Sequence, residues 1–204
     1  MGGVFLGYIA PLGYAFLDRG LYLPADWCAD EPRRAAAKIP SKVQFQTNPQ
    51  LAQQMLSRAW AEQIPMQWVT ADTTYGNSST LRNFIHKQER YYVMEVPQTV
   101  YVQSLSAPKP QAASEVAKTM VVASWARLAL EGGKKGLNFS EWAVLRVTST
   151  TDTVGEQWLL CRRRMKGKGA VKYYLSNAPA QTSLETLAAV ASSRWQIGHR
   201  PPCG

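Results

Sequence analysis

Met66-Gln67-Trp68-Val69-Thr70-Ala71-Asp72-Thr73-Thr74-Tyr75-Gly76-Asn77 is the stretch on which the reading of the whole chain turns. Its first half is a short aromatic and β-branched run, the composition of a buried strand, and it ends on a carboxylate. Thr73 to Asn77 is turn chemistry. A helix should follow, capped by Ser78 or Ser79 and carrying Leu81, Phe84 and Ile85 inward. Tyr91 to Val96 then alternates as a strand and stops at Pro97. Strand, helix, strand is the layer pattern of an α/β fold. A carboxylate just past the end of such a strand projects at the rim of the sheet, where α/β folds bind ligands. Taken alone, an Asp before a turn is more simply a capping residue, and the surrounding sequence has to decide between the two readings.

Upstream, Val4 to Ile9 and Tyr14 to Tyr22 flank Ala10-Pro11-Leu12-Gly13 and read as an antiparallel hairpin. Leu23 to Pro40 reads as a loop and a short helix, with Asp30 at its N-cap and Pro32 in the first turn. Asn48 should cap a second helix beginning at Pro49, whose apolar positions Leu51, Met55, Leu56, Ala59 and Trp60 recur at helical spacing. Downstream, a Pro/Ala/Ser-rich loop over 105–114 and an apolar stretch over 116–130 lead to the break Gly132-Gly133-Lys134-Lys135-Gly136. Strand-like runs follow at Glu141 to Ser149, Glu156 to Arg163 and Val171 to Ser176. A final helix, capped by Thr182 or Ser183, carries Leu184, Leu187, Val190 and Ala191. The expected organisation is a first core segment over 1–97, a β-rich insertion over 98–172, a return to the core over 173–197 and a tail over 198–204.

With 204 residues, 46% hydrophobic and 18% charged, the chain can bury a core. Its 23 Lys and Arg against 14 Asp and Glu leave a formal charge of +9, which favours a polyanionic partner such as nucleic acid over an acidic substrate. Cys28, Cys161 and Cys203 are far apart and only two His accompany them, so a zinc site is not expected and a reduced, cytoplasmic protein is. The apolar opening is broken by Gly7, Pro11 and Gly13, and it reads as strands, with neither a membrane span nor a signal peptide expected. The 132–136 stretch lacks the spacing of a nucleotide-binding P-loop.

Several blocks in a fixed order, among them the opening hairpin through Pro40, QTNPQLAQQMLSRAWAEQIPMQWVTADTTYG, YYVMEVP, SWARLALEGGKKGLNFSEWA, WLLCRRR and YYLSNAPAQTSLETLAAVASSRWQI, resemble bacterial insertion-sequence transposases of the DDE superfamily. Within it they look closest to the insertion-sequence family numbered seven hundred and one. The resemblance implies an RNase H-like core interrupted by a β-rich insertion, and an Asp-Asp-Glu triad holding two Mg²⁺ or Mn²⁺ ions for phosphodiester cleavage and strand transfer. The DNA partners would be transposon ends and target, handled with a second, intact transposase protomer and in association with the nucleoid.

Asp72 matches the second Asp of that triad and is the expected catalytic, metal-binding residue. The first Asp of the family lies on a strand upstream of the hairpin, and its final Glu follows the helix ending Arg194-Trp195-Gln196-Ile197. Here Gly198-His199-Arg200-Pro201-Pro202-Cys203-Gly204 stands at that place, and it reads as frameshift read-through that cannot continue the helix. The expectation is therefore a chain truncated at both ends and catalytically inactive, with a non-catalytic DNA-binding remnant or an unstable decay product as alternatives. Arg194 matches a basic residue expected near phosphate or the carboxylates; the plain alternative is an exposed Arg favourable to the helix dipole. Arg162, Arg163, Arg164, Lys166 and Lys168 should cluster at a hairpin tip and contact DNA, or form a solvated turn. Trp158 and Tyr173 are candidates for stacking on a base, though core packing is the simpler reading. Tyr75 either packs beside the site or plugs the turn.

Overall fold

The computed structural model describes residues 2–121, 124–131, 137–164 and 170–199; of 130, 131, 137, 138 and 195–199 only the backbone path is described. Lys166, Lys168 and the tail from Arg200 onward, all singled out by the sequence, lie outside the described residues. The chain divides into two compact units, Met1–Met66 and Gln67–Gly204.

The first unit is a hairpin and three helices. Strands β1 (Gly2–Ala10) and β2 (Gly13–Tyr22) pair antiparallel with a register shift at Leu6/Gly7. Helices α1 (Ala25–Ala29) and α2 (Glu31–Ala36) follow, and the Asp30 side chain caps α2 by accepting from the Arg33 N–H, as its position before Pro32 suggests. Arg34 then ties down the next loop by donating to the carbonyls of Cys28, Pro40, Ser41 and Val43. Helix α3 (Asn48–Ala61) buries Leu51, Met55, Leu56 and Ala59. Its N-cap is Thr47, one residue earlier than the sequence suggests. Thr47 and Gln50 exchange side-chain and backbone hydrogen bonds in a capping box, which satisfies two donors where Asn48 alone would satisfy one. Asp18 of β2 accepts from Arg58 of α3 at 2.8 Å.

The second unit is built on one eight-stranded sheet. Strand β3 (Trp68–Ala71) runs parallel to β4 (Tyr91–Val96), and the connection carries α4 (Thr73–Gly76) and α5 (Ser79–Lys87). Ser78 is the residue that caps α5. Thr73 to Asn77 forms one helical turn because the Asp72 side chain caps it, accepting from the Thr74 N–H at 3.0 Å. Beyond β4 every pairing is antiparallel, in the order β4, β10 (Lys172–Ser176), β9 (Glu156–Arg164), β8 (Leu137–Ser149), β5 (Tyr101–Ser104), β6 (Gln111–Ala112). Strand β7 (Ala126–Glu131) also pairs with β8, and α6 (Ala113–Lys118) follows β6. The strands of 98–172 thus continue the same sheet as β3 and β4.

Period-two alternation sorts the sheet into two faces. One carries Val93, Trp142, Leu160 and Tyr174 against Ala178 and the small residues Ala188 and Ala191 of α7 (Leu184–His199), with Leu187 filling between them. The Ser183 hydroxyl caps α7 by accepting from the Thr186 N–H. The α7 backbone continues through Gly198 to His199, two residues past the point where the sequence suggested the helix must stop. A glycine in a helix costs about 1 kcal/mol, which a long helix already docked on a sheet tolerates. The opposite face is rich in buried residues, including Tyr92, Met94, Leu159, Cys161 and Leu175.

Between α5 and the β8–β9 turn lies a buried ion pair. Arg82 is 1% exposed and its side chain forks onto Asp152, Nε to Oδ2 at 2.9 Å and Nη2 to Oδ1 at 2.6 Å. Its Nη1 donates to the carbonyl of Gly76, the last residue of α4. Gln157 donates to Asp152, and the Tyr92 hydroxyl donates to Gln157. Gly76 itself has no room for a side chain, since a Cβ there would lie 2.0 Å from the Glu95 carbonyl oxygen.

Arg82→Met is expected to cost about 3–5 kcal/mol in urea melts because it strands a buried carboxylate, and Arg82→Met with Asp152→Leu should recover much of that loss. Equal losses in the single and double variants would show that the pair is not the source. Burial pushes the Cys161 thiol from 9.0 up to about 12 and raises the Tyr92 hydroxyl as well. A raised folded-state value means stability present below the unfolded value and lost as pH climbs from about 9 toward 12. Melting temperature should therefore fall across that window, and Cys161→Ser should flatten the decline; an unchanged decline in the variant would argue against a thiol contribution.

Candidate functional site

The site follows from the parallel register of β3 and β4. Ala71 stands opposite Met94, so the next residues, Asp72 and Glu95, stand side by side at the C-terminal ends of adjacent strands about 5 Å apart. Close packing of α4 on β4 at Gly76 holds the Asp72 turn against Glu95. Across β4, Glu95 pairs in register with Tyr174 of β10, and Lys172 of β10 pairs with Arg162 of β9. One row of polar side chains therefore crosses the sheet on the face that α7 covers.

Arg194 of α7 closes this row. Its Nη1 lies 3.7 Å from Asp72 Oδ2 and its Nη2 lies 3.6 Å from Glu95 Oε2. The Lys172 ammonium donates to both Glu95 oxygens, at 2.8 and 2.9 Å. The Tyr174 hydroxyl is raised by burial and by Glu95, while Arg162 and Arg194 act in the opposite sense. The Tyr75 hydroxyl, in the turn that Asp72 caps, is raised by burial and then by the charge of Asp72.

The structure thus brings together Asp72 and Arg194, which the sequence nominated. It adds Glu95 and Lys172, which sequence reasoning missed. A signal for Glu95 was present: in Tyr91 to Val96 it is the one charge in an otherwise apolar and aromatic strand. Lys172 carried no signal, because its partner lies 77 positions away.

The basic run of β9 is distributed over both faces. Arg162 stacks on the Trp142 ring at 5.3 Å and donates to the Ser140 hydroxyl. Arg163 points the other way, paired with Glu141 at 2.6 Å and stacked 4.2 Å from the Trp125 ring. Arg164 is exposed. The stacking candidates are packed instead: Tyr173 is buried, and Trp158 packs on the core and donates to the Pro179 carbonyl at 3.2 Å.

Two divalent ions need several converging carboxylates. Among the described residues no group of three or more His, Cys, Asp or Glu is placed to hold a metal ion. Asp72 has one oxygen committed to the Thr74 N–H and the other facing Arg194, and Glu95 is engaged by Lys172 and Arg194. The described residues do not fit a two-metal centre. Among them, too, no helix is long and apolar enough to cross a membrane.

No curated protein matches the chain. A family model described as DDE superfamily endonuclease matches residues 7–126, more than half of the chain, and the matched stretch contains most of the hairpin, α3, Asp72 and Glu95. Members act on DNA and generally use divalent metal ions. With an acidic sheet rim inside the matched stretch and a net positive charge overall, the chain belongs to the DDE superfamily endonucleases.

Proposed function

We propose that this chain is an insertion-sequence transposase of the DDE type, related to the family numbered seven hundred and one, with an RNase H-like core into which 98–172 is inserted. Asp72 is the triad carboxylate of the chain and the ligand it offers to Mg²⁺ or Mn²⁺. The observation that carries this reading is the position of Asp72 at the C-terminal end of a parallel strand, beside Glu95 and facing Arg194 of α7. The cationic surplus supplies the attraction for a phosphate backbone. Arg164, with Lys166 and Lys168, presents charge to DNA; Arg162 and Arg194 lie at the acidic rim, where a cleaved phosphodiester would sit. Arg163 contributes through its remaining hydrogen-bonding capacity.

The 204-residue polypeptide alone should bind DNA without cutting it, because both carboxylates at the rim face cations of the chain itself. Binding to transposon ends and target, in company with another transposase protomer, is the role proposed for it.

Two measurements test this. In a fluorescence-anisotropy salt series, changing Arg164, Lys166 and Lys168 together to Ala should reduce the slope of log K against log salt by about 2 to 3. An unchanged slope would remove these residues from the interface. In a plasmid-nicking assay with Mg²⁺ or Mn²⁺ the wild-type chain should leave DNA intact. Nicking that Asp72→Ala abolishes would overturn the expectation of inactivity.

A further inference from the structure

Asp72 and Glu95 occupy neighbouring positions on adjacent parallel strands, and two adjacent carboxylates repel one another unless a cation lies between them. The cation that lies against them is a guanidinium. Arg194 reaches from α7 to both acids at once, one Nη to each, at 3.7 and 3.6 Å. Those separations exceed the 2.7–2.9 Å or so of a charge-assisted hydrogen bond, so its contact with the two acids is electrostatic. Lys172, by contrast, holds Glu95 at hydrogen-bond distance. Asp72 and Glu95 are thus matched by Arg194 and Lys172.

We infer that Arg194 is the resident counter-ion of the Asp72–Glu95 pair, so that a divalent cation and the Arg194 contact exclude each other at this rim. Guanidinium and divalent ion compete for the same oxygens, Asp72 Oδ2 and Glu95 Oε2. With Arg194 in place a metal ion would have to displace a tethered charge from both acids. With Arg194 drawn away, two adjacent carboxylates lose the cation they share. The site then favours a hard, oxygen-seeking ion. Arginine suits this duty because its planar fork spans two acceptors, which the point charge of a lysine cannot do. This rests on the reading of Asp72 as the family's cation-binding carboxylate.

The test is Mn²⁺ titration of the purified 204-residue chain without DNA, following free Mn²⁺ by electron paramagnetic resonance, with folding checked by circular dichroism. Because no DNA is present, failure here and failure of DNA binding are separate results. Arg194→Gln should tighten Mn²⁺ binding at least tenfold over wild type, and adding Lys172→Gln should tighten it further. Adding Glu95→Gln to Arg194→Gln should abolish the gain. Equal affinity in wild type and Arg194→Gln, or a gain that survives Glu95→Gln, would overturn the proposal. Should Arg194→Gln fail to fold, Arg194→Lys carries the test: a several-fold gain is expected, and none would be contrary.

Discussion

The bidentate pair between Arg82 and Asp152 is the contact on which the geometry of the second unit rests. Both side chains are shielded from water, so each is held there by the other and by the Gly76 and Gln157 groups that complete their hydrogen bonding. The pair joins residues 70 positions apart. One end is α5, whose Arg82 also holds the Gly76 carbonyl of the turn that follows Asp72, and the other is the β8–β9 connection. A charge buried in this way tolerates little displacement, so the pair ties the turn that aims Asp72 to the β8–β9 connection.

The same logic extends along the sheet. Gly76 lets α4 lie against the Glu95 carbonyl, and that approach sets Asp72 next to Glu95. Asn177 reinforces the arrangement from the other side, accepting from the Tyr92 N–H and donating to the Arg90 carbonyl. The α7 helix then brings Arg194 over the pair, since Leu187, Ala188 and Ala191 dock on Trp142, Leu160 and Tyr174. Apolar packing of one helix face therefore decides where a single guanidinium lies, and with it the electrostatic state of the rim.

Much of the architecture was legible because it rests on local rules. The hairpin over 2–22, the capped α2, the β3–α5–β4 order and the strands β8, β9 and β10 are all announced by turn residues, caps and period-two alternation. Where the reading slipped, competing local chemistry explains it: Thr47 outcompetes Asn48 through its capping box with Gln50, and Asp72 turns Thr73 to Gly76 into helix by capping it. The run Arg162 to Arg164 looked like one basic patch, yet strand alternation sends Arg162 and Arg163 to opposite faces, each onto its own Trp.

By itself the sequence determined the α/β pattern, the basic charge, the family resemblance and the strand that ends on Asp72, because each of these depends on neighbours close in the chain. Only the tertiary structure decided that Glu95 stands beside Asp72, that Lys172 and Arg194 neutralise them, and that Arg82 is a buried anchor while Tyr173 is core. Those facts depend on strand order, on parallel register and on which helix face is buried. Such quantities follow from contacts between residues tens of positions apart, which no local pattern encodes.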